Sequence, residues 1–186
     1  LALCDTACYI APPGLMFGRL ANWVNGELWG KVLPDDMQAS APWWSVKYPE
    51  EAIQLAPTVD AHAQAVHLST LAHAGDAHAA AQIAALVPAR YPNNFIQAAT
   101  DGPLIMLVLV AVWWKPRHAG TIFGAFLISY GILRNVSEQY REPDEGVYTL
   151  GPLTLPMLLS IAMVLAGLLL IRYARRSAQP LVGGRA

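Results

Sequence analysis

Residues 18–30 read GRLANWVNGELWG, and this stretch sets charged and amide side chains directly after an apolar run. The preceding residues are predicted to lie in a membrane, where polar side chains are costly and therefore indicate a functional site. If the stretch is a helix with about 100° per residue, one face carries Arg19, Asn22, Gly26 and Gly30. We expect this face to form a polar stripe with room for a ligand to approach the backbone.

The composition indicates a membrane protein. Hydrophobic residues make up 55% of the 186 residues and charged residues only 13%, which is less charge than a soluble domain normally carries. The formal net charge is −1, and no basic block occurs in the middle of the chain. A nucleic-acid partner is therefore not expected, because binding a phosphate backbone requires a concentrated cationic face.

Three further apolar stretches predict membrane-spanning helices, at residues 95–114, 119–136 and 151–171. Together with the first segment they predict an all-α polytopic membrane protein, with about four transmembrane segments of a larger helical bundle and an extramembrane helical insert. The predicted parts are a first membrane segment, an outward-facing insert, a group of three transmembrane helices and a cytoplasmic tail: residues 1–30, 31–94, 95–175 and 176–186.

The insert contains the charges and alanines that the apolar stretches lack. Thr58 is predicted to cap a helix that runs to about Val87, with Pro88 as its stop. Trp43 and Trp44 suit an interfacial aromatic belt. Neither a metal nor a cofactor is predicted, because the insert histidines lack the i,i+4 spacing that places two ligands on one face. These histidines are His62, His67, His73 and His78.

Lysine and arginine predict the orientation. Residues 115–118 form a short cationic loop, and four arginines close the chain, so the positive-inside rule places the loop and the carboxyl tail in the cytoplasm. Residues 31–94 and 142–150 then face outward. The four closing arginines are Arg172, Arg175, Arg176 and Arg185.

Residues 130–144 form a second polar cluster. Helical spacing places its phenol, guanidinium and carboxylate groups within about 80° of one another, in a ladder of Tyr130, Arg134, Glu138 and Arg141. Two interpretations stay open. The charges can form a structural ion pair between helices, or the planar arginine forks can bind the phosphate of an anionic head group.

Asp5 and residues 12–14 interrupt the first apolar segment. The diproline predicts a kink or a break, because it removes backbone donors. Asp5 either faces the interior of the bundle or is a solvated loop residue near the membrane surface. The residue alone favours neither alternative.

The two clusters together resemble the bacterial prolipoprotein diacylglyceryl transferase family. The family signature Gly-Arg-x-Gly-Asn-Phe-x-Asn-Gly-Glu-x-x-Gly is matched by Gly18, Arg19, Asn22, Asn25, Gly26, Glu27 and Gly30. The later pattern Tyr-Gly-x-x-Arg-x-x-x-Glu-x-x-Arg-x-Pro-Asp is matched by Tyr130, Gly131, Arg134, Glu138, Arg141, Pro143 and Asp144. Asp5 falls where the family has an upstream aspartate, and Pro42-Trp43 resembles a later Pro-Trp pair.

Some residues depart from the family pattern. Ala21 replaces a glycine of the signature and Trp23 a phenylalanine, and neither change removes a polar group. Residues 91–97 read YPNNFIQ where the family typically reads His-Pro-Ser-Gln-Leu-Tyr-Glu, so Gln97 replaces a glutamate and the local hydrogen-bond network must differ. The family's upstream His-Gly-Gly motif has no counterpart here. We therefore expect a truncated chain that is inactive alone.

The resemblance implies an enzyme of the bacterial inner membrane that moves a diacylglyceryl group from phosphatidylglycerol to the lipobox cysteine of a prolipoprotein signal peptide. The thiol nucleophile belongs to the substrate, so Cys4 and Cys8 are not needed as catalysts, and no cofactor is expected. The residues implied to take part in catalysis are Arg19, Asn22, Glu27, Arg134, Glu138 and Arg141. Those implied to bind the substrate are Asp5, Asn25, Gly26, Gly30 and Tyr130.

Two other classes of protein are compatible with intramembrane charges. A transporter or channel would use the arginines and glutamates as gating or substrate ion pairs, and a structural subunit would use them to fasten helices together. Neither class explains why both family patterns occur in one chain.

Overall fold

The protein is described by a computed structural model that covers residues 1–143, 149–151, 153–177 and 179–184. Asp144 and Arg185, which the sequence analysis singled out, lie outside these described residues. The chain divides into two compact units. We call residues 1–21 with 95–186 the bundle unit, and residues 22–94 the insert unit.

Helices dominate the part of the chain that is described. In chain order they are α1 (Ala2–Ala7), α2 (Ala11–Val24), α3 (Asp35–Gln38), α4 (Pro49–Gln54), α5 (Val59–His73), α6 (Ala77–Leu86), α7 (Asn93–Ala99), a π-helix (Thr100–Leu104), α8 (Ile105–Trp113), α9 (Thr121–Glu138) and α10 (Leu155–Arg176). Short strands form two antiparallel pairs, β1 (Arg117–His118) with β4 (Leu181–Val182), and β2 (Thr149–Leu150) with β3 (Leu153–Thr154).

Two helical stretches of the described chain are long and apolar enough to cross a membrane, Asn93–Trp113 and Leu155–Arg176. They confirm helices at the predicted segments 95–114 and 151–171, although the second begins four residues later. The predicted segment 119–136 is the helix α9. Within the described chain, α9 is not one of the two stretches that are long and apolar enough to cross a membrane.

The first apolar segment contains a break, as its diproline predicted. α1 ends at Ala7 and α2 begins at Ala11. Pro12 and Pro13 lie in the first turn of α2, where the backbone N–H groups have no intrahelical partner to lose. The prolines therefore start the second helix instead of bending a continuous one.

The signature stretch is not one helix, so the predicted common face of Arg19 with Gly26 and Gly30 is wrong. α2 ends at Val24, and the backbone then turns through Gly26 with φ +67° and Leu28 with φ +55°. Two residues in the left-handed region so close together cannot continue a right-handed helix. Arg19 lies on a helix, whereas Gly26 and Gly30 belong to the loop that follows it.

α9 and α10 pack against each other through small residues. A Cβ atom built on Gly131 would lie 2.5 Å from the Ser160 carbonyl oxygen, and one built on Gly167 would lie 2.6 Å from the Gly124 carbonyl oxygen. Glycine at these positions lets the two backbones approach closely, as in many membrane helix pairs. This contact fixes the rotation of α9 and hence the direction of its charged carboxyl end.

Asp5 caps the amino end of α9 from a distant part of the sequence. Its Oδ2 accepts a hydrogen bond from the Gly120 N–H at 2.6 Å, and its Oδ1 accepts one from the Phe123 N–H at 2.7 Å. The residue is only 1% exposed, which confirms the alternative in which Asp5 faces the interior. A carboxylate at this position satisfies two orphan donors and complements the helix dipole.

We expect Asp5→Ala to lower the free energy of unfolding by about 2–3 kcal/mol, because two buried N–H groups lose their acceptor. Asp5→Asn retains one acceptor oxygen and should cost roughly half as much. Reversible unfolding of the purified protein in mixed micelles measures both values. Asp35→Ala, at an exposed position in α3, is the control. Equal stability of Asp5→Ala and wild type would contradict the capping role.

The insert unit contains two helices where the sequence predicted one helix from Thr58 to Val87. The predicted cap is confirmed, because Thr58 Oγ1 accepts a hydrogen bond from the Ala61 N–H at 3.1 Å. The chain then breaks at Gly75, where φ is +95°, and Asp76 caps α6. The break folds α6 back on α5, so that apolar residues of both helices form a small core of Leu68, Ala79 and Ile83.

Candidate functional site

The bundle unit buries an ion pair between α2 and the π-helix. Arg19 Nε lies 3.2 Å from Asp101 Oδ2, and the Asp101 side chain is fully buried. Pro103 lies inside this π-helix, and Gly102 packs against Met16 of α2. A π-helical turn is a local departure from α geometry that often marks a functional site. Here it carries the carboxylate that holds Arg19.

A second ion-pair group lies at the carboxyl end of α9. Arg134 Nη2 lies 2.8 Å from Glu138 Oε2, and Arg141 Nη1 lies 4.0 Å from Glu138 Oε1. All three side chains are at most 10% exposed. The predicted ladder of two arginines around one glutamate is therefore confirmed.

Tyr130, the fourth predicted member of the ladder, lies one helical turn before Arg134. Its ring stacks on Phe126, with 5.9 Å between the ring centroids. Tyr130 and Arg134 are four residues apart within α9, which places them on one face of the helix. The structure therefore places Tyr130 beside the charged group as predicted.

The two ion-pair groups influence each other within the bundle unit. The Arg134 guanidinium interacts electrostatically with both Asp101 and Arg19. Three guanidinium groups and two carboxylates give this cluster a net charge of +1. Arg134 Nη1 is buried and has no hydrogen-bond partner within the described residues. The cluster therefore offers positive charge and an unused N–H donor to an anion.

In the insert unit, two asparagines at the start of α7 hold the loop that follows the signature helix. Asn93 Nδ2 donates to the Leu28 carbonyl at 3.0 Å, and Asn94 Nδ2 donates to the Glu27 carbonyl at 2.9 Å. Both asparagines are fully buried. These bonds stabilise the left-handed conformation of Leu28, which an unsupported loop would not maintain.

The polar side chains of that loop are open to solvent. Asn25 and Glu27 are exposed, and Asn22 is half-buried. Within the described chain, no ion pair of Glu27 occurs. The catalytic roles that the resemblance implies for Asn22 and Glu27, and the substrate-binding role that it implies for Asn25, stay predictions.

The two signature glycines pack against their own unit. A Cβ atom on Gly26 would lie 2.6 Å from the Glu50 side chain, and one on Gly30 would collide with the Tyr91 carbonyl oxygen. The space beside these glycines is therefore occupied by the protein itself. Their predicted contact with a substrate stays a prediction, while their packing role follows from the structure.

A buried salt bridge that the sequence analysis missed organises the insert unit. Arg90 donates to Glu51 through Nε at 2.8 Å and through Nη2 at 2.7 Å, in a two-pronged arrangement. Its Nη1 donates to the Gly30 carbonyl at 2.7 Å, and its guanidinium carbon lies 5.2 Å from the Trp29 ring centroid. Burial raises the pKa of nearby Tyr48 to about 12, so that this phenol stays neutral.

Asp5, a predicted substrate-binding residue, lies at the other end of α9 from the arginine cluster. It caps the helix at Gly120, and Arg134 is thirteen positions after Thr121 in α9, a rise of about 20 Å. Both carboxylate oxygens are engaged by backbone donors. The structure therefore does not bring Asp5 together with the arginines.

Within the described part of the chain, no group of three or more His, Cys, Asp or Glu side chains is arranged to hold a metal ion. The cations of the candidate site are arginines, and its acceptors are paired with them. The chemistry that this arrangement supports is electrostatic binding of an anionic group next to an apolar helix bundle.

Fold and site together define a mostly helical protein with candidate membrane helices and a buried cluster of arginines and carboxylates. The sequence model of the prolipoprotein diacylglyceryl transferase family matches residues 1–173. The chain therefore belongs to this family, whose members are bacterial membrane enzymes.

Relatives named phosphatidylglycerol–prolipoprotein diacylglyceryl transferase are similar along nearly the whole chain. The relative from Bradyrhizobium diazoefficiens is 33% identical over 97% of this chain and 51% of its own length. The relative from Paraburkholderia phymatum is 36% identical over 95% of this chain and 55% of its own length. The relative from Rhodospirillum rubrum is 35% identical over 97% of this chain and 53% of its own length. The chain spans about half the length of these relatives.

Asp101 is the functional candidate in the bundle unit that the sequence analysis missed. A signal was present, because an aspartate within an apolar segment is as costly as the arginine that drew attention to residues 18–30. Its partner is 82 residues away in the sequence, so the pairing itself could not be read from helical spacing.

Proposed function

We propose that this chain supplies the phospholipid-binding part of an enzyme that transfers a diacylglyceryl group from phosphatidylglycerol to the lipobox cysteine of prolipoproteins. The observation that carries the proposal is the buried cluster of Arg19, Asp101, Arg134, Glu138 and Arg141 in a chain of this family. A phosphodiester is the anion that such a cluster fits, because arginine forks match its oxygens.

The proposed reaction forms one bond and breaks one. The sulfur of the substrate cysteine attacks the glycerol carbon that bears the phosphate and forms a thioether. The bond between that carbon and the phosphate oxygen breaks, glycerol phosphate leaves with the electron pair, and the thiol proton passes to a base. Arg19, Arg134 and Arg141 hold the phosphodiester and stabilise the charge that develops on the leaving phosphate.

The remaining residues support the lipid and the arginines. Glu138 and Asp101 hold the guanidinium groups in place, and Tyr130 lies beside Arg134. For Asn22, Asn25 and Glu27 the proposal rests on the family pattern alone. The asparagine amides would donate hydrogen bonds to the lipid.

A lipidation assay tests this proposal directly. The protein that contains this chain, at the length of its relatives, is incubated with phosphatidylglycerol and a lipobox peptide, and the peptide is analysed by mass spectrometry. We expect the mass of one diacylglyceryl group on the cysteine, and none on a peptide with serine in its place. Anion flux into proteoliposomes without any thioether product would reject the proposal in favour of a transporter.

We expect Asp101→Asn to slow lipidation about tenfold, because Arg19 loses its buried counter-charge while side-chain size is retained. Asp101 acts through Arg19 and is thus a positioning residue. Asp101→Glu, which restores the charge, should recover most of the rate. A purely structural role would predict that asparagine, the closer match in shape, is better tolerated than glutamate.

We also propose a multi-pass topology in the bacterial inner membrane, with four membrane segments, the insert outside and the tail in the cytoplasm. Aromatic residues close to the start of a candidate membrane span support this topology, because such residues are enriched at the membrane interface. Trp44 stacks on Tyr91 with 6.0 Å between the ring centroids, and Tyr91 lies two residues before the candidate span that begins at Asn93. Trp43 is 94% exposed, as expected for an interfacial anchor.

Thiol labelling of whole cells tests this topology. In a background with Cys4→Ser and Cys8→Ala, a membrane-impermeant maleimide should label His67→Cys in intact cells. It should label Ser177→Cys only after permeabilisation. Both positions are exposed, so that access depends on the side of the membrane alone. The reverse pattern would contradict the proposed orientation.

A further inference from the structure

Gln97 in α7 has a fully buried side chain whose polar atoms are not used. The residue is 0% exposed, and neither its Nε2 nor its Oε1 has a hydrogen-bond partner within the described residues. A buried amide without partners is costly, and native proteins rarely leave both of its ends unsatisfied. The fold therefore keeps a donor and an acceptor available at one buried position.

The position of Gln97 relates it to the arginine cluster. Gln97 lies in α7 and Asp101 in the π-helix that directly follows it, so the two residues are about one helical turn apart in the same continuous helical stretch. Asp101 holds Arg19 at 3.2 Å. A ligand whose phosphate is bound by Arg19 therefore has its neighbouring atoms within reach of the amide.

The hydroxyl group of Thr100, three residues further along the chain, does not satisfy the amide. Thr100 Oγ1 lies 3.0 Å from the Ile96 carbonyl and 3.2 Å from the Gln97 carbonyl, and it also lies 3.4 Å from Asp101 Oδ1. Its proton is thus directed to main-chain and carboxylate oxygens. The Gln97 amide therefore stays without a partner within the described residues.

We infer that Gln97 recognises the free diol of the phospholipid head group, and so determines specificity for a glycerol head group. A primary amide offers one acceptor oxygen and an NH₂ donor side by side. Two neighbouring hydroxyls match this pair, since one donates to Oε1 and the other accepts from Nε2. A head group without hydroxyls would leave both amide atoms unsatisfied, which is how a buried polar site rejects an analogue.

This inference rests on the proposed function, and a lipid-binding competition separates the two. The protein that contains this chain, at the length of its relatives, is purified in detergent and mixed with equal amounts of phosphatidylglycerol and phosphatidylpropanol. The two lipids carry the same acyl chains and differ only in the head-group hydroxyls. Native mass spectrometry reports the ratio of the two complexes. We expect wild type to prefer phosphatidylglycerol about tenfold.

The variants assign that preference to Gln97. Gln97→Met, which has a similar size without a polar pair, should bring the ratio close to one while phosphatidylpropanol still binds. Gln97→Glu should retain a preference for phosphatidylglycerol, because a carboxylate accepts both hydroxyl protons. Gln64→Met, at an exposed position of the insert unit, should behave as wild type.

Two results would overturn the inference. Wild type could bind both lipids equally, as expected if only water occupies the amide, or Gln97→Met could keep the wild-type ratio. The wild-type ratio decides the question even if the methionine variant fails to fold. A separate variant tests the proposed function. If Arg19→Ala binds both phospholipids as tightly as wild type does, the arginine cluster does not bind the phosphate and the proposed function fails.

Discussion

We expect Arg134→Lys to slow lipidation by about one to two orders of magnitude in the proposed enzyme that contains this chain. The guanidinium pairs with Glu138 through Nη2 at 2.8 Å and keeps Nη1 unpaired within the described residues. Lysine retains the charge but provides one compact ammonium group, which cannot contact both the carboxylate and a phosphate oxygen. Each charged hydrogen bond that is lost costs about 1.5–3 kcal/mol, or roughly one to two powers of ten in rate.

The measurement is the initial rate of thioether formation at saturating and at limiting phosphatidylglycerol. Loss of a group that binds the phosphate only in the transition state lowers kcat and kcat/KM alike, whereas loss of uniform substrate binding raises KM and leaves kcat unchanged. Arg176→Lys is the matched control, because this arginine is exposed in the last turn of α10. An Arg134→Lys enzyme with the wild-type rate would show that a two-pronged contact is not needed.

The sequence predicted the α9 cluster correctly because its geometry is local. Arg134 and Glu138 are four residues apart, and any α-helix places such residues side by side. The same reasoning failed for the signature stretch. It assumed a continuous helix, whereas Gly26 and Leu28 adopt positive φ and end it. Leu28 gives no sequence signal for this conformation, since leucine rarely adopts it.

Membrane segments were predicted from apolar runs, and the helices followed those runs closely. Contacts between distant parts of the chain could not be predicted in this way. Asp101 is 82 residues from Arg19, and Arg90 is 39 residues from Glu51. A single sequence contains no distance information of this kind. It can show only that a buried carboxylate needs a partner.

Both missed pairs share a pattern that points to their importance. In each pair, the arginine belongs to or contacts one end of the signature stretch, residues 18–30. An acidic residue from another element holds that arginine in place. Asp101 engages Arg19 before the turn, and Arg90, which is held by Glu51, engages the Gly30 carbonyl after it. Each end of residues 18–30 is thus held within its own unit by an arginine that pairs with a buried carboxylate.

The Arg90 pair leads to the prediction with the largest effect on stability. Glu51→Leu should lower the stability of the insert unit by about 3–5 kcal/mol, because the buried guanidinium loses its counter-ion and two hydrogen bonds. Hydrogen exchange of the α4, α5 and α6 amides reports the free energy of opening for this unit alone. Asp60→Leu, at an exposed position in α5, should change it by less than about 0.5 kcal/mol.

A double variant separates the loss of the pair from the loss of packing. With Glu51→Leu and Arg90→Met together, no buried charge is left without a partner, and most of the lost stability should return. About 1 kcal/mol should stay lost, because the Gly30 carbonyl no longer receives the Arg90 hydrogen bond. If the double variant were less stable than Glu51→Leu alone, Arg90 would stabilise the unit mainly through its contacts with Gly30 and Trp29. The lost energy would then not come from an unpaired charge.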